Sequence, residues 1–592
     1  MANGHGLDEV FEPGKREDVI TDIHRFTNTY PKVRVIVTSR VIGYKPQRLR
    51  NAQFRHVMLQ DLESEQIQTF IHHWHELTFT NQADKVRKQE RLQKAIDTSS
   101  PIRQLAGNPL LLTMMAILNR NQELPRDRSE LYNQASRLLL YQWDVERALL
   151  EDNRVDPKTI DYKDKQQMLG KVAYFMQGNQ AGLAGNLISG EDLERIIKEE
   201  LKLRDVTNPR AVAKVMINQL RTRNFILCFM GADYYAFLHR TFLEYFCAWE
   251  FVRKFEKKQD ISLEQLKTEV FAKHWRDESW HEVLRLIVGM IDSIKAGEII
   301  EYLMAQDGES NKFGNLFLAA DFLSEVRNRY EIKSTDTRLL NHFKDLIDHD
   351  QNIKRFSDSD ILTKVVVAVA THWQDHPDTL ALLQQSARSD TSWLVRATAI
   401  EQLAQGYKDH PDTLALLQQL ARSDTSWWVR DTAIEQLAQC YKYHPDTLPL
   451  LQQSARSDTD WEVRITAIQQ LAQCYKDHQD TLALLQESAR SDTDTYVRVT
   501  AIQQLAQGWH DRVAWPTANQ PWLFEFLCVR TLNDLFERKK SWDDNPRQVA
   551  LNAILEYYPN HSQTRSLLLD RAEHDSDPKL REFAQEKLAK LR

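Results

Sequence analysis

Two neighbouring carboxylates near the start of the chain, Asp8 and Glu9, are the first residues whose types and spacing could do chemistry. They lie in GHGLDEV at residues 4–10, which looks like the end of a strand of a nucleotide-hydrolysing site with an acidic pair just beyond it. The same pair also fits a solvated loop. The few residues before it, MANG, do not make a buried strand, so the rest of such a site has to be sought elsewhere.

A second candidate is the polar tip that follows a short apolar run. Residues Val33–Val37 are apolar at four of five positions, and Thr38, Ser39 and Arg40 come next. A buried parallel strand that ends in polar residues is typical of doubly wound nucleotide sites, where ligands bind at the carboxyl ends of the strands. We therefore predict a strand here, although Arg40 could instead cap a helix.

The elements that dominate the second half of the chain are repeats. Units that begin with HPDTLALLQQ or a close variant start at His376, His410, His444 and His478, a period of 34 residues. The apolar residues of each unit recur at helical spacing in two segments, so each unit reads as two helices, the first capped by Asp412 or Thr413 and the second by Thr425 or Ser426 in the second unit. Such pairs bury their apolar stripes only by stacking, which predicts an α-solenoid.

The unit core S-D-T-x-x-x-V-R-x-x-A-x-x-x-L resembles HEAT-like repeats rather than tetratricopeptide repeats. In HEAT-like repeats a turn Asp and a helix Arg form ladders along the stack, which implies a structural pairing of Asp390, Asp424, Asp458 and Asp492 with Arg396, Arg430, Arg464 and Arg498. A row of indoles shares one further repeat position, and the row either forms a partner-binding face or packs on the next repeat: Trp393, Trp427 and Trp461.

Composition excludes several classes of protein. The chain of 592 residues has a net charge of -7, and its four clear repeats contain 11 Lys and Arg against 18 Asp and Glu, so a nucleic-acid partner is not expected. Five scattered cysteines without a CxxC pair indicate neither a zinc site nor a disulfide framework. With no signal peptide and no long apolar run, we expect a cytoplasmic protein without a membrane partner.

Five motifs in order suggest a family for the first half. LDEV, VIVTSR, LQDLESEQIQTFIHHW, LAGNPLLLTMMAIL and FLHRTFLEYFCAWEFV together resemble the NACHT branch of the STAND signalling NTPases, over roughly residues 4–350. HEAT-like repeats behind a NACHT module are a familiar bacterial arrangement. The resemblance implies that ATP or ADP with Mg²⁺ is the family's ligand.

The resemblance also implies roles for single residues. Asp8 and Glu9 would be the acidic pair that orients or deprotonates water, and Arg40 would be the sensor of the terminal phosphate. Pro109 would pack beside adenine, and His239 would reach the phosphates to hold a closed state. The ordinary alternatives are that Pro109 simply starts a helix and that His239 is a satisfied core histidine.

The sequence departs from the family pattern in two ways. The position of the magnesium-binding Asp is His5, and imidazole is a poor partner for Mg²⁺. No GxxxxGK[ST] occurs anywhere in the chain, so the cradle for phosphates is missing. We therefore expect that this chain does not bind nucleotide or hydrolyse it alone, and that it is the carboxy-terminal portion of a NACHT protein. Residues 1 to about 50 should pack poorly or borrow a strand from elsewhere.

These inferences predict a mainly α protein with five domains. They are the remnant of an α/β NTPase core at 1–60, a helical lid at 61–125, a winged-helix and adjoining helical region at 126–255, a helical linker domain at 256–350 and the HEAT-like solenoid at 351–592.

Two functions follow from this organisation. The first is a NACHT-type signalling protein whose repeats sense a protein or other ligand, with homo-oligomers possible if a P-loop half is supplied. The second is a protein-binding HEAT-repeat scaffold with an inert NTPase remnant. A pigment-handling surface similar to that of phycobilin lyases would rest on fold alone.

Overall fold

A computed structural model describes the chain over residues 13–31, 33–38, 49, 54–58, 60–125, 127–142, 160–178, 186–222, 224, 226–231, 233–353, 359–510, 522–533 and 545–590. The candidate residues His5, Asp8, Glu9 and Arg40 lie outside these ranges. The chain divides into two compact units, Met1–Leu339 and Leu340–Arg592. The finer boundaries predicted within residues 1–350 remain predictions.

The first unit begins with helices that short polar residues start. Asn81, Ser99 and Asp127 each accept a backbone N–H of the first turn that would otherwise lack a partner. The helices are α1 Pro13–Thr29, α2 Ser64–Thr78, α3 Gln82–Thr98, α4 Ser100–Ala106, α5 Pro109–Leu118 and α6 Arg128–Arg137, the last continuing into a π-helical turn at Leu138–Gln142.

A small antiparallel sheet lies among the next helices. The order along the chain is α7 Tyr162–Gly178, β1 Ile188–Ser189, α8 Gly190–Lys202, α9 Pro209–Thr222, β2 Leu227–Gly231, β3 Tyr234–Phe237 and α10 Arg240–Val252. In the sheet β3 is central, with Ile188 opposite Tyr235 on one side and Leu227 opposite Phe237 on the other. Because β3 leads almost directly into α10, the residues between them are fixed at both ends.

The buried strand predicted for Val33–Val37 is not formed. Residues 33–38 have no strand assignment, and the side chains of Val33 and Ile36 are 51% and 89% exposed. Strands within the described ranges occur only in the sheet of β1–β3, and none of them pairs with this segment. The apolar run alone misled the prediction, since a parallel strand needs neighbours on both sides to be buried.

The first unit ends in a layer of helices packed around aromatic side chains. Phe271 and Phe322 are fully buried, with ring centroids 5.7 Å apart in an edge-on contact. The helices are α11 Leu263–Gln265, α12 Ala272–His274, α13 Glu278–Met290, α14 Ser293–Met304 and α15 Gly314–Glu325, and α16 Lys333–Ile353 contains the boundary between the units.

The second unit consists of stacked helix pairs, which confirms the predicted solenoid. Its first helices are α18 Pro377–Ser389, α20 Pro411–Ser423, α22 Thr447–Ser457, α24 Gln479–Ser491, α26 Trp522–Asn533 and α28 Thr564–His574. Its second helices are α17 Ser359–His372, α19 Trp393–Gly406, α21 Trp427–Cys440, α23 Trp461–Cys474, α25 Thr495–Trp509, α27 Pro546–Tyr557 and α29 Pro578–Lys590. From α17 to α27, each second helix packs directly on the next.

One continuous apolar core runs through the stack. Within a repeat, Val429, Ala433, Ile434 and Leu437 are each buried, and their counterparts in the neighbouring repeats are buried in the same cluster. Equivalent residues are buried in neighbouring repeats, and a substitution in one repeat would alter its packing against the repeats on both sides. This explains why the sequence repeats so closely at a period of 34 residues.

Candidate functional site

The loop at residues 107–109 lies at the start of α5. Asn108 is the N-cap, and its Oδ1 accepts the backbone N–H of Leu110 at 3.0 Å and of Leu111 at 3.3 Å. Pro109 is the first residue of the helix and is exposed. This is the ordinary role for a proline at that position, and it leaves the ring free to meet another group.

Asp61 and Leu62, which precede this loop in the sequence, contact it. The backbone N–H of Leu62 donates to the oxygen of Gly107 at 2.8 Å. Gly107 is buried, and a Cβ there would lie 3.2 Å from the Cβ of Asp61. The motifs LQDL and GNP therefore meet in the structure, and the glycine allows the close approach.

His239 meets the same loop from the other side. It is the N-cap residue of α10, and its Nε2 lies 3.1 Å from Nδ2 of Asn108, while its Nδ1 lies 2.9 Å from Oγ1 of Thr241. Because two backbone N–H groups occupy Oδ1 of Asn108, the amide presents its N–H to the ring. His239 must then accept at Nε2 and carry its proton at Nδ1, the neutral state of the ring. We call this contact the Asn108–His239 bridge.

The bridge brings Pro109, the residue after Asn108, close to His239, and the sequence singled out both. Pro109 and His239 belong to motifs 130 positions apart, and the structure places them at one junction. Both ring nitrogens of His239 have protein partners there, so a phosphate could reach Nε2 only by displacing Asn108. The described residues do not by themselves make a fitting triphosphate site.

Sequence reasoning missed a buried charge cluster in the first unit. Nη1 of Arg128 donates to both carboxylate oxygens of Glu282 at 2.8 Å, and its Nε lies 3.4 Å from Oε1 of Glu325. Arg285 reaches the same oxygen of Glu325 at 3.5 Å. Burial alone would lower the pKa of Arg128, but the charges of Glu282 and Glu325 raise it. No spacing in the sequence predicts these partners, because they come from α6, α13 and α15.

Glu244 extends the cluster toward the bridge along α10. Burial raises its pKa to about 7, against the effect of Arg240, whose Nε donates to Oε1 at 2.8 Å. The negative charge of Glu282 raises it further. Helix α10, whose N-cap is His239, therefore carries a carboxyl group that titrates close to neutral pH.

The solenoid contains the predicted ladder of Asp and Arg, with its rungs between repeats. Nε and Nη2 of Arg430 donate to both carboxylate oxygens of Asp458 in the next repeat at 2.9 and 2.7 Å. Its Nη1 donates to the backbone oxygen of Asp424 in its own repeat at 2.9 Å. The same geometry joins Arg396 with Asp424 and Asp390, and Arg464 with Asp492 and Asp458.

Each Asp of the ladder also closes its own turn. Oδ1 of Asp424 accepts the backbone N–H of Ser426 at 2.8 Å, and the other repeats copy this bond. Such bidentate, charge-assisted bonds fix both distance and angle between neighbours. For these residues the structural role is the one supported, as the sequence predicted.

The indole row lies at the start of the second helices. Trp393 is 44% exposed and its ring lies 5.3 Å from that of Trp428 in the next repeat. Trp461 stacks on Tyr496 of the next repeat at 5.1 Å, and Trp427 is half-buried against the core. Packing on the next repeat therefore accounts for part of the row, while Trp393 and Trp428 keep a large exposed aromatic surface.

Comparison with known proteins places HEAT repeats in the second unit. The family model described as HEAT repeats matches residues 349–438 and 414–506. This confirms the HEAT-like prediction for that region, and the match does not extend to the motifs that resemble the NACHT family. A search of curated proteins finds no relative.

Two solved structures give weak overall likenesses. Kap121p bound to Pho4p is 11% identical with a TM-score of 0.26, and Kap121p bound to RanGTP is 10% identical with a TM-score of 0.24. Each covers 99% of this chain, which in turn spans 64% of the first and 68% of the second. Scores at this level define no common arrangement of the whole chain.

Within the described ranges, none of the helices combines the length and the apolar character that crossing a membrane would require.

Proposed function

We propose that the chain is a protein-binding scaffold whose HEAT-repeat solenoid holds a protein partner. The observation that carries the proposal is the exposed aromatic surface of Trp393 and Trp428 on a stack that the Asp and Arg ladder makes rigid. Exposed indoles on a fixed frame can bury large areas at little entropic cost, as in interface hot spots. The acidic charge of the repeats favours a protein partner over nucleic acid.

The test is capture followed by measurement with a purified partner. The tagged full chain is isolated from its native host, the enriched protein is identified and purified, and its affinity is measured by calorimetry. We expect W393S/W428S to weaken binding by about tenfold or more, because hot-spot indoles contribute most of an interface's energy. The matched pair R388S/R422S, exposed on the first helices of the same repeats, should leave affinity within about twofold.

Two results would contradict the scaffold proposal. Either no protein is enriched over a tag-only control, or both double variants weaken the purified complex equally. Thermal unfolding of each variant separates loss of binding from loss of fold.

A NACHT-type signalling switch is the second candidate function, favoured by the Asn108–His239 bridge. The motifs GNP and FLH meet there as the family resemblance implies. The order helix, strand, helix, helix, strand, strand from α7 to β3 is the order that the proposed winged helix within 126–255 would need. In this proposal homo-oligomers would form only if a P-loop half is supplied.

A fluorescent ADP or ATP analogue distinguishes the two candidates. Titration of the full chain in the presence of Mg²⁺ should give no saturable binding if the scaffold proposal is right. Tight binding that chelation of Mg²⁺ abolishes and H239A weakens would favour the switch.

A further inference from the structure

The exposed stripe of the second helices carries a column of carboxamides. Gln405, Gln439, Gln473 and Gln507 occupy one repeat position, and all four are exposed. One turn earlier the same stripe holds Glu401, Glu435, Gln469 and Gln503. A carboxamide both donates and accepts hydrogen bonds, so a row of them matches the alternating N–H and C=O groups of a polypeptide backbone.

The spacing of this column fits one backbone conformation. Packed helices lie about 8–10 Å apart, and successive second helices pack directly on each other. A polyproline II segment turns once in three residues and rises about 9 Å per turn, so every third residue would face the next glutamine. That conformation makes no internal hydrogen bonds, and its backbone groups are available to a partner.

A cavity continues the column at its carboxyl-terminal end. Its volume is about 290 Å³, and Gln503 and Gln507 of α25 line it together with Gln548 and Asn552 of α27. The side chains of Gln503, Gln507 and Asn552 are exposed at this cavity. Val549 and Tyr557 also line it, so the cavity offers hydrogen-bonding groups beside apolar surface, as an extended polypeptide requires.

The amino-terminal end of the same face is acidic and aromatic. The charges of Glu435 and of Glu462 in the next repeat both act on Asp431. Trp428, in the first turn of the same helix, has an exposed ring. Carboxylates beside an indole suit the ammonium or guanidinium group of a basic side chain.

From the carboxamide column, the amide-lined cavity and the acidic end together, we propose that this face binds an extended, polyproline II-like segment of a partner protein. The glutamines hold its backbone, and the carboxylates at the first repeats hold its lysine or arginine side chains. The proposal rests on the scaffold function and adds the form and charge of the bound segment.

The test uses the full chain and a fluorescent peptide of five Lys-Pro-Ser units, which favours polyproline II. Fluorescence anisotropy should show saturable binding that weakens by about tenfold or more when the serine nitrogens are methylated, because backbone donors are lost. Replacing each lysine with glutamate should abolish binding. Q405A/Q439A/Q473A should weaken the Lys-Pro-Ser peptide by a similar factor.

The matched control is Q385A/Q419A/Q453A, the exposed glutamine column of the first helices with the same period. It should change affinity by no more than about twofold. Equal affinity for the methylated peptide, equal affinity for the glutamate peptide, equal effects of the two triple variants or no binding at all would each overturn the proposal. If a partner is captured but the Lys-Pro-Ser peptide does not compete with it, the scaffold function stands and this inference fails.

Discussion

The two units use buried ion pairs in different ways. In the solenoid, Arg396, Arg430 and Arg464 each form the same rung with the next repeat, and the Arg side chains are all 10% exposed. In the first unit, Arg128, whose side chain is 5% exposed, pairs with both Glu282 and Glu325. Repetition gives the solenoid a series of equivalent links, whereas the Arg128 cluster gathers two carboxylates around one arginine.

This difference predicts how each unit fails. A lost rung removes one link and leaves others of the same kind, so damage should stay local, as expected for repeat proteins. Loss of Arg128 removes the partner of both oxygens of Glu282 and leaves the buried Glu325 with Arg285, and burial already raises the pKa of Glu325. Damage there should reach α6, α13 and α15 at once.

The largest expected effect is that of R128M. Removing one partner of a buried ion pair costs about 3–5 kcal/mol, and here the methionine fills the space but not the charge. Urea unfolding followed by hydrogen exchange, which reports each unit separately, should show the loss in the first unit. R338M breaks the exposed pair with Glu301 and should cost less than about 1 kcal/mol. An R128M chain as stable as R338M would remove the contrast between the units.

The next effect depends on pH and concerns Glu244. Its folded pKa of about 7 lies above its ordinary value, so stability from its protonated form is present below the ordinary pKa and is lost as pH rises through about 7. E244Q cannot ionise, and its stability relative to the natural chain should therefore rise between pH 5 and pH 8, by up to about 3 kcal/mol.

Glu301 provides the opposite control for this prediction. The hydroxyl of Thr335 donates to it and lowers its pKa, so the stability it contributes is lost as pH falls. E301Q should accordingly become relatively more stable toward low pH. Chemical denaturation from pH 4 to pH 8 measures both, and equal pH profiles for the two variants would show that the burial of Glu244 has no energetic effect.

A rung of the solenoid should cost less than the Arg128 cluster. R430M loses the bidentate bond to Asp458 and the bond to the backbone of Asp424, which we expect to cost about 2–3 kcal/mol. Hydrogen exchange should rise in α21 and α23 but not in α28 and α29. The matched control is R422M, which replaces an exposed arginine on α20. Exchange that rises evenly along the whole solenoid would contradict local failure.

Most of the solenoid could be predicted from the sequence, for a physical reason. A period of 34 residues multiplies every helical signal, and the Asp and Arg of the ladder were both identified. The pairing between repeats was not specified, since a repeating sequence places an Asp of its own repeat and one of the next at equally plausible distances. The first helix of the second repeat also starts earlier than predicted, because His410 accepts the N–H of Asp412 with Pro411 as the first helical residue.

The candidate site in the first unit was predicted only as separate residues. Pro109 and His239 came from motif resemblance, and nothing in the sequence indicated that Asn108 joins them. The apolar run Val33–Val37 satisfied a strand pattern, but no strand of the described residues pairs with it. The Arg128 cluster could not be predicted, because its members come from helices whose contacts only the fold determines.

The smallest expected effect tests the Asn108–His239 bridge, which resembles a solenoid rung because it joins distant segments. N108D keeps the N-cap acceptor but turns a carboxylate toward Nε2 of His239, which raises the folded pKa of that ring. Its stability should equal the natural chain near pH 5.5 and fall by about 1 kcal/mol as pH rises through the raised pKa. N108S keeps the cap without a charge, so its loss should be smaller than that of N108D and should change less with pH. Denaturation midpoints at pH 5.5 and pH 8 measure the difference. If N108D and N108S share one pH profile, the bridge does not form, and the switch proposal loses the contact between the GNP and FLH motifs.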